Sequence, residues 1–378
     1  MRPKPQTVAG PRIFHNGEFS DTLTNELQDL RTTASLTFLS RRAVPHQTRT
    51  PGARNIVTCD LGRSAGTETT VPGVEGTFAE IVDLGVKRKD LFTGPASSGS
   101  GSRTFGGQFL AQSLTAAQRT VTQDRVAHSM HSYFLKGGQA NTSVELEVIR
   151  LRDGRSFSQR QVVVSQQGAE LFRTLISFQV PEAGLEWHKH AAIPVATPTN
   201  EQPYTDYSDY VESVLPPNER PWPGRSRPIN VRYVDSPPAV GDGPITSPQL
   251  MWMQISSDLG TKQELHTAGL AYLTDIGMDS VIALPHGYRW RDEEVTTASL
   301  NHSIWFHRPA EMNEWLLYEQ RVEWTNRGRG LANGRFYDPA GQLIATCMQE
   351  GLLRWNSEAK MSSGDLVSGG NPESPGSG

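Results

Sequence analysis

Glu264-Leu-His-Thr-Ala-Gly-Leu-Ala-Tyr-Leu-Thr-Asp-Ile-Gly-Met278 is the stretch on which the reading of the fold turns. Its apolar residues, Leu265, Ala268, Leu270, Ala271, Tyr272, Leu273, Ile276 and Met278, are spread around a helical wheel and do not line one face. A helix apolar nearly all round is enclosed by other structure. One acid, Asp275, stands in its last turn among Ala271, Tyr272 and Met278. An enclosed carboxylate is costly unless polar groups meet it, so Asp275 is either paired in the core or part of a working site.

Working outward, Met251–Met278 reads as helical, and the segments beyond it read as strands. Ser299–His307, Trp315–Thr325, Gly328–Tyr337 and Leu343–Arg354 follow one another, with Asp338-Pro-Ala-Gly341 as the last turn. The same order occurs earlier in the chain. Phe105–Gln118 has helical spacing, and His128–Leu135, Ser143–Ile149, Phe157–Ser165 and Leu171–Val180 follow as a meander. The pair Gly106-Gly107 opens that first helix without a Walker-type Lys or dinucleotide spacing, and reads as a close approach of helix to sheet. Letters repeat as well as pattern. His131-Ser-Tyr-Phe-Leu-Lys-Gly aligns with His302-Ser-Ile-Trp-Phe-His-Arg, and Gly168-Ala-Glu-Leu-Phe with Gly341-Gln-Leu-Ile-Ala. Self-similarity over this length indicates a duplicated domain, a long helix wrapped by a curved antiparallel sheet, twice.

The rest of the chain is organised around these two units. Residues 181–247 are Pro-rich, with Pro216-Pro217, Pro221-Trp-Pro223 and Pro237-Pro238, and read as a linker with a little local structure at Ile229–Val234. Residues 1–73 are rich in Thr, Arg, Pro, Gly and Ser without periodicity, and are expected to be a disordered extension; 357–378 are expected to be a flexible tail. The chain has 378 residues, long enough for about two domains. A net charge of −4 and a pI near 6.2 leave no basic footprint for nucleic acid. Cys59 and Cys347 offer no disulfide framework and no Cys-based metal site. No apolar run approaches the roughly 18 residues of a membrane span, and neither a secretory signal core nor a terminal Ser-Lys-Leu address is present. A cytoplasmic protein without metal or cofactor is expected.

In the second half the polar residues that fall in apolar surroundings are Asp275, His286, Ser299, His302, His307 and Gln349. Alternation in Ile344–Gly351 puts Cys347 and Gln349 on one face. An acid, a hydroxyl and an amide converging from helix, strand and strand could take a water's protons and aim its lone pair. Each alone is more often a hydrogen-bonded core group. His128, Ser129 and His131 permit a Ser nucleophile in principle, but no Gly-x-Ser-x-Gly elbow accompanies them.

These residues resemble a known family. Phe105-Gly-Gly-Gln108, His128–Leu135, Leu151-Arg-Asp-Gly154 and Ser177-Phe-Gln179 look like the first half of the acyl-CoA thioesterase II (TesB-like) family. Ala271-Tyr-Leu-Thr-Asp275, Pro285-His-Gly287, Asn301–Pro309, Glu314–Tyr318, Arg329-Gly330 and Gln349-Glu-Gly351 resemble its second half, so the match covers about residues 77–355. The resemblance implies an α+β double hotdog, with hotdogs at 74–180 and 248–356. It implies hydrolysis of acyl-CoA to acid and CoA, with the family's catalytic Asp, Ser or Thr, and Gln falling on Asp275, Ser299 and Gln349. Asn301 departs from the Asp usual beside the His. An acyl-CoA substrate and a homo-oligomer are expected; Lys136, Arg152 and Arg155 are candidates to meet CoA phosphates. The competing readings are a hotdog enoyl-CoA hydratase or dehydratase, for which His266 lies nine residues before Asp275, and a non-catalytic acyl-CoA-binding module.

Overall fold

The computed structural model describes residues 77–96, 103–188, 195–199, 204–207, 209, 228–235, 237, 243–289, 292 and 294–356. The expectations for 1–73 and 357–378 lie outside them. The first half begins with a capped turn, α1 (Phe78–Ile81), and a short hairpin, β1 (Gly85–Arg88) and β2 (Leu91–Gly94). Helix α2 (Gly106–Gln118) follows, then β3 (Val126–Phe134), β4 (Val144–Asp153), β5 (Phe157–Gln166) and β6 (Ala169–Gln179). The second half holds β7 (Thr205–Asp206), β8 (Ile229–Tyr233), β9 (Gln249–Ile255), helix α3 (Gln263–Thr274), a short α4 (Met278–Val281), β10 (Val295–Phe306), β11 (Leu316–Asn326), β12 (Arg329–Tyr337) and β13 (Leu343–Trp355).

Among the described residues, thirteen strands form one sheet in the order β1-β2-β4-β5-β6-β3-β10-β13-β12-β11-β9-β8-β7. The order is palindromic about the β3–β10 seam, where the pairs run from Asn301↔Tyr133 to Trp305↔Ser129. Each half thus repeats the same five-strand arrangement, and the duplicated helix-plus-meander architecture is present. In β5 the buried positions alternate from Ser158 to Gln166, as expected of a strand with one face on a core. Residues Gly107–Ala117 of α2 are buried without a break, and α3 is buried from Ala268 to Thr274. The two helices lie against each other inside the sheet's curve, which is why neither is amphipathic.

Two readings of the sequence need correction. Met251–Met278 is not one helix: Gln249–Ile255 is strand β9, and the helix starts only at Gln263. Met251, Trp252 and Met253 are all buried, because Met251 and Met253 face the main core while Trp252 packs with Leu317 and Tyr337 on the other side. A strand covered on both faces loses its alternation and mimics a buried helix. Within the Pro-rich segment the local structure expected at Ile229–Val234 is β8, which pairs with β7 and β9, so these described residues extend the sheet. Finally, the letter alignment of His131 with His302 is out of register. His131 is exposed on the outer face and pairs with Ser303, whereas His302 is fully buried. Both strands carry a bulge, between Ala127 and Ser129 and between Ser299 and Asn301, and superposing those bulges matches β3 to β10 at an offset of 172, with β6 and β13 at the offset of 173 shown by the Gly168 and Gly341 letters. Met130 is then the counterpart of His302, and Ala127 that of Ser299. Phe178 opposite Ala127 matches Gly351 opposite Ser299, which makes Ile176 the counterpart of Gln349.

Candidate active site

Asp275 caps the C-terminus of α3 and is 5% exposed. The chain reverses directly after it through Gly277 at φ 77°, a left-handed conformation that glycine adopts without strain. The carboxylate meets the N-terminus of α2. The glycines there serve helix against helix, and Gly106 also serves helix against sheet, where the Phe134 ring of β3 packs on it. A Cβ on Gly106 would stand 2.6 Å from Asp275 Oδ2, and one on Gly107 would stand 2.4 Å from the Tyr272 carbonyl oxygen. The positive end of the α2 dipole therefore faces the acid, and the Gly107 N–H favours its charged form.

Ser299 opens the central part of β10, at its bulge, and Gln349 is fully buried in the facing part of β13. The Gln349 amide Nε2 donates to Ser299 Oγ at 2.9 Å. Both groups also act on Asp275. The structure thus brings Asp275, Ser299 and Gln349 together around one point, as the sequence could not. Burial raises the Asp275 pKa well above the ordinary carboxylate range, and the charge of Asp279 raises it further; Gly107, Gln349 and Ser299 pull the other way. Asp275 Oδ1 is buried without a hydrogen-bond partner. An orphaned acceptor on an acid with an elevated pKa is the arrangement expected of a base that takes a proton from a water or substrate.

The remaining sequence candidates sort differently. His302 joins the site from below: its Nδ1 is 2.5 Å from Gln349 Oε1 and its Nε2 is 2.9 Å from Thr274 Oγ1. Desolvation takes its pKa down to about 4, so the ring is neutral. His286 and His307 are exposed and bond to Thr325 and Thr346, away from the trio. His128 lies 2.8 Å from Ser177 Oγ and His131 3.1 Å from Ser303 Oγ, so each engages a hydroxyl other than Ser129. His266 accepts from the Met312 N–H on Nδ1 and lies 2.9 Å from the Gly260 carbonyl through Nε2. Both its nitrogens are committed at the far end of α3, which removes the acid–histidine pair that a hydratase would use. Lys136, Arg152 and Arg155 are exposed. Among the described residues no cluster of three or more His, Cys, Asp or Glu side chains is arranged to hold a metal.

Sequence reasoning missed four participants: Gly107, Thr274, Asp279 and Tyr318. Tyr318 donates to the Thr274 carbonyl at 2.7 Å and so holds the end of α3. Thr274 and Asp279 flank Asp275 in the sequence, and two more polar groups around one buried acid were the available signal.

Two family models match the chain, the acyl-CoA thioesterase N-terminal domain over residues 95–179 and the acyl-CoA thioesterase C-terminal domain over residues 208–353. Acyl-CoA thioesterase 2 of Haemophilus influenzae is 32% identical over 271 residues, 70% of this chain and 93% of that protein. Human acyl-coenzyme A thioesterase 8 is 31% identical, over 72% of this chain and 88% of its own length. Among solved structures, acyl-CoA thioesterase II TesB2 from Mycobacterium marinum is 32% identical with a TM-score of 0.59, covering 74% of this chain and 98% of that one. A hotdog-fold protein from Alicyclobacillus acidocaldarius, 18% identical with a TM-score of 0.58, covers 74% and 98% and shares the fold.

Proposed function

The chain belongs to the acyl-CoA thioesterase II family and hydrolyses acyl-CoA, and from that premise we propose that Asp275, Ser299 and Gln349 carry the reaction on a fatty acyl thioester by direct attack of water. The observation that supports this reading is the unpartnered, buried Asp275 Oδ1 beside a hydroxyl and an amide already bonded to each other. A water donating one proton to Oδ1, and held by the Ser299 hydroxyl that the Gln349 amide fixes, has its lone pair aimed at the thioester carbonyl carbon. As the carbon–oxygen bond forms, the water's proton passes to Asp275 and the carbonyl becomes an oxyanion. Collapse of that intermediate breaks the carbon–sulfur bond and releases CoA thiolate. A thiol of pKa about 8.5 leaves without a strong general acid. Asp275 then returns its proton to solvent or to the product. Positioning in a site shielded from water supplies most of the acceleration.

The test is thiol release from acyl-CoA by wild type, Asp275→Asn, Ser299→Ala and Gln349→Ala. Loss of the base is expected to lower kcat by roughly 10²- to 10⁴-fold. Near-normal turnover in folded Asp275→Asn, or a trapped acyl-enzyme, would overturn the reading. Binding of acyl-CoA with no hydrolysis by the wild type would favour the binding-module alternative.

A homo-oligomer is part of the same proposal. It is supported by exposed apolar side chains on the outer sheet face around the seam, Tyr133, Leu175 and Trp305 among them, and is tested by light scattering. A cytoplasmic location rests on composition; no described helix is long and apolar enough to cross a membrane.

A further inference from the structure

We propose that His302 is a positioning residue whose tautomer, fixed within the buried series that runs from Thr274 to Asp275, dictates which end of the Gln349 amide faces Ser299 and Asp275, the two groups that hold the attacking water. The inference rests on the reading of Gln349 as a water-holding group and says what makes it one. An amide side chain can be turned end for end at little steric cost, and only its hydrogen-bond partners decide the matter. Here those partners form a closed series: Thr274 Oγ1, His302 Nε2 and Nδ1, Gln349 Oε1 and Nε2, Ser299 Oγ. His302, Gln349 and Thr274 are fully buried, so no solvent can satisfy a mismatched member.

Two wirings are available. In the first, the Thr274 hydroxyl turns from the Ala271 carbonyl, 2.8 Å away, to donate to His302 Nε2, Nδ1–H donates to Gln349 Oε1, and the amide N–H groups point to Ser299 and Asp275. In the second, Thr274 donates to the Ala271 carbonyl, 2.8 Å away, and His302 Nε2–H donates to Thr274. Nδ1 is then bare, the amide must turn to donate to it, and a carbonyl oxygen faces Ser299 and the Asp275 carboxylate. That second arrangement leaves the Ser299 hydroxyl able to donate to the amide oxygen, but sets that oxygen against an ionised Asp275 in a buried space and strips the carboxylate of an amide donor. The first is the one compatible with an ionised Asp275. A neutral imidazole is required for either, and the low pKa of His302 keeps it neutral through the physiological range.

The first half of the molecule supplies a natural control. At the counterparts of Ser299, His302 and Gln349 it has Ala127, Met130 and Ile176, all buried and all apolar. Met at the His302 position is thus compatible with this fold, and Ser299, His302 and Gln349 have apolar counterparts together.

Two measurements decide the proposal. In the full chain labelled with 15N-histidine, long-range proton–nitrogen spectra identify the protonated ring nitrogen, with His302 assigned by its disappearance in His302→Met. The expected result is a proton on Nδ1 and a bare Nε2 between about pH 5 and pH 8; a proton on Nε2 overturns the wiring, whether or not the trio is catalytic. In steady-state kinetics, His302→Met is expected to lower kcat roughly 10²-fold with KM changed by less than about 2-fold, the signature of a misaimed water in an intact site. His302→Asn, which keeps an N–H near the Nδ1 position, is expected to recover part of that loss, and His302→Gln, which places its amide near the Nε2 position, is not. Equal activity in the Asn, Gln and Met variants would overturn a positioning role. Full activity in Gln349→Ala would instead sink the catalytic reading on which the inference rests, leaving the nitrogen spectra as a statement about wiring alone.

Discussion

Asp275 concentrates the energetic tension of the molecule. Its pKa is elevated, so in the folded protein it binds a proton more tightly than in the unfolded chain. The stability gained from that proton is complete below about pH 4, where the unfolded carboxyl is also protonated, and is lost as pH rises through the elevated native pKa. Asp275→Asn removes the ionisation. Its Tm is therefore expected to exceed that of wild type by a few degrees at neutral pH, with the gap closing toward pH 4; a lower Tm at neutral pH would show the carboxylate fully compensated. The same elevation places the acid limb of kcat/KM above the usual carboxylate range. Asp279→Asn removes the like charge beside the base and is expected to move that limb to lower pH. An unmoved limb would mean that Asp279 is screened from Asp275. Cys347, buried beside Tyr318, has its pKa pushed up to about 12 and stays a thiol. It is expected to resist thiol reagents in the native protein and to react only on unfolding, so it leaves a free-thiol assay undisturbed.

At the scale of elements, the decisive contact is the N-terminus of α2 against the end of α3. The two glycines have separable roles. Gly107→Ala forces a methyl against the Tyr272 carbonyl and the Phe105 ring, both within 2.4 Å of the added carbon, and is expected to cost about 1–3 kcal/mol in chemical denaturation. Gly106→Ala meets Asp275 Oδ2 and the Phe134 ring instead, and is expected to displace the carboxylate, lowering kcat by more than its effect on stability would explain. Equal rates at unchanged stability for both variants would show that the helices can separate without harm. Gly106-Gly107 was legible as a demand for close approach, but its target was not, because the contact joins residues about 165 apart in the chain. The β9 error has a similar origin: Met251–Met253 is buried from both sides, and periodicity reports burial on one side only.

Across the whole molecule, duplication built two similar halves and polar chemistry survives in one. Asp275, Ser299, His302 and Gln349 all belong to the second half, while the first half answers the last three with Ala127, Met130 and Ile176. A non-hydrolysable acyl-CoA thioether is accordingly expected to bind with one site per chain in calorimetry, and two equivalent sites would refute the asymmetry. The first half is nonetheless indispensable, since it contributes Gly107 and the β3 seam. By itself the sequence determined most element types and the duplication, because helical wheels and strand alternation are local properties of a chain, and it narrowed the site to a few polar residues among which the family resemblance picked Asp275, Ser299 and Gln349. Only the tertiary structure decided that Asp275 meets the start of the other helix, that His302 and Thr274 stand behind Gln349, and that β3 and β10 superpose at their bulges, one residue off their matching letters, while β6 and β13 keep the register of theirs. Those are facts of side-chain direction, and a one-residue shift along a strand reverses the face on which a side chain lies.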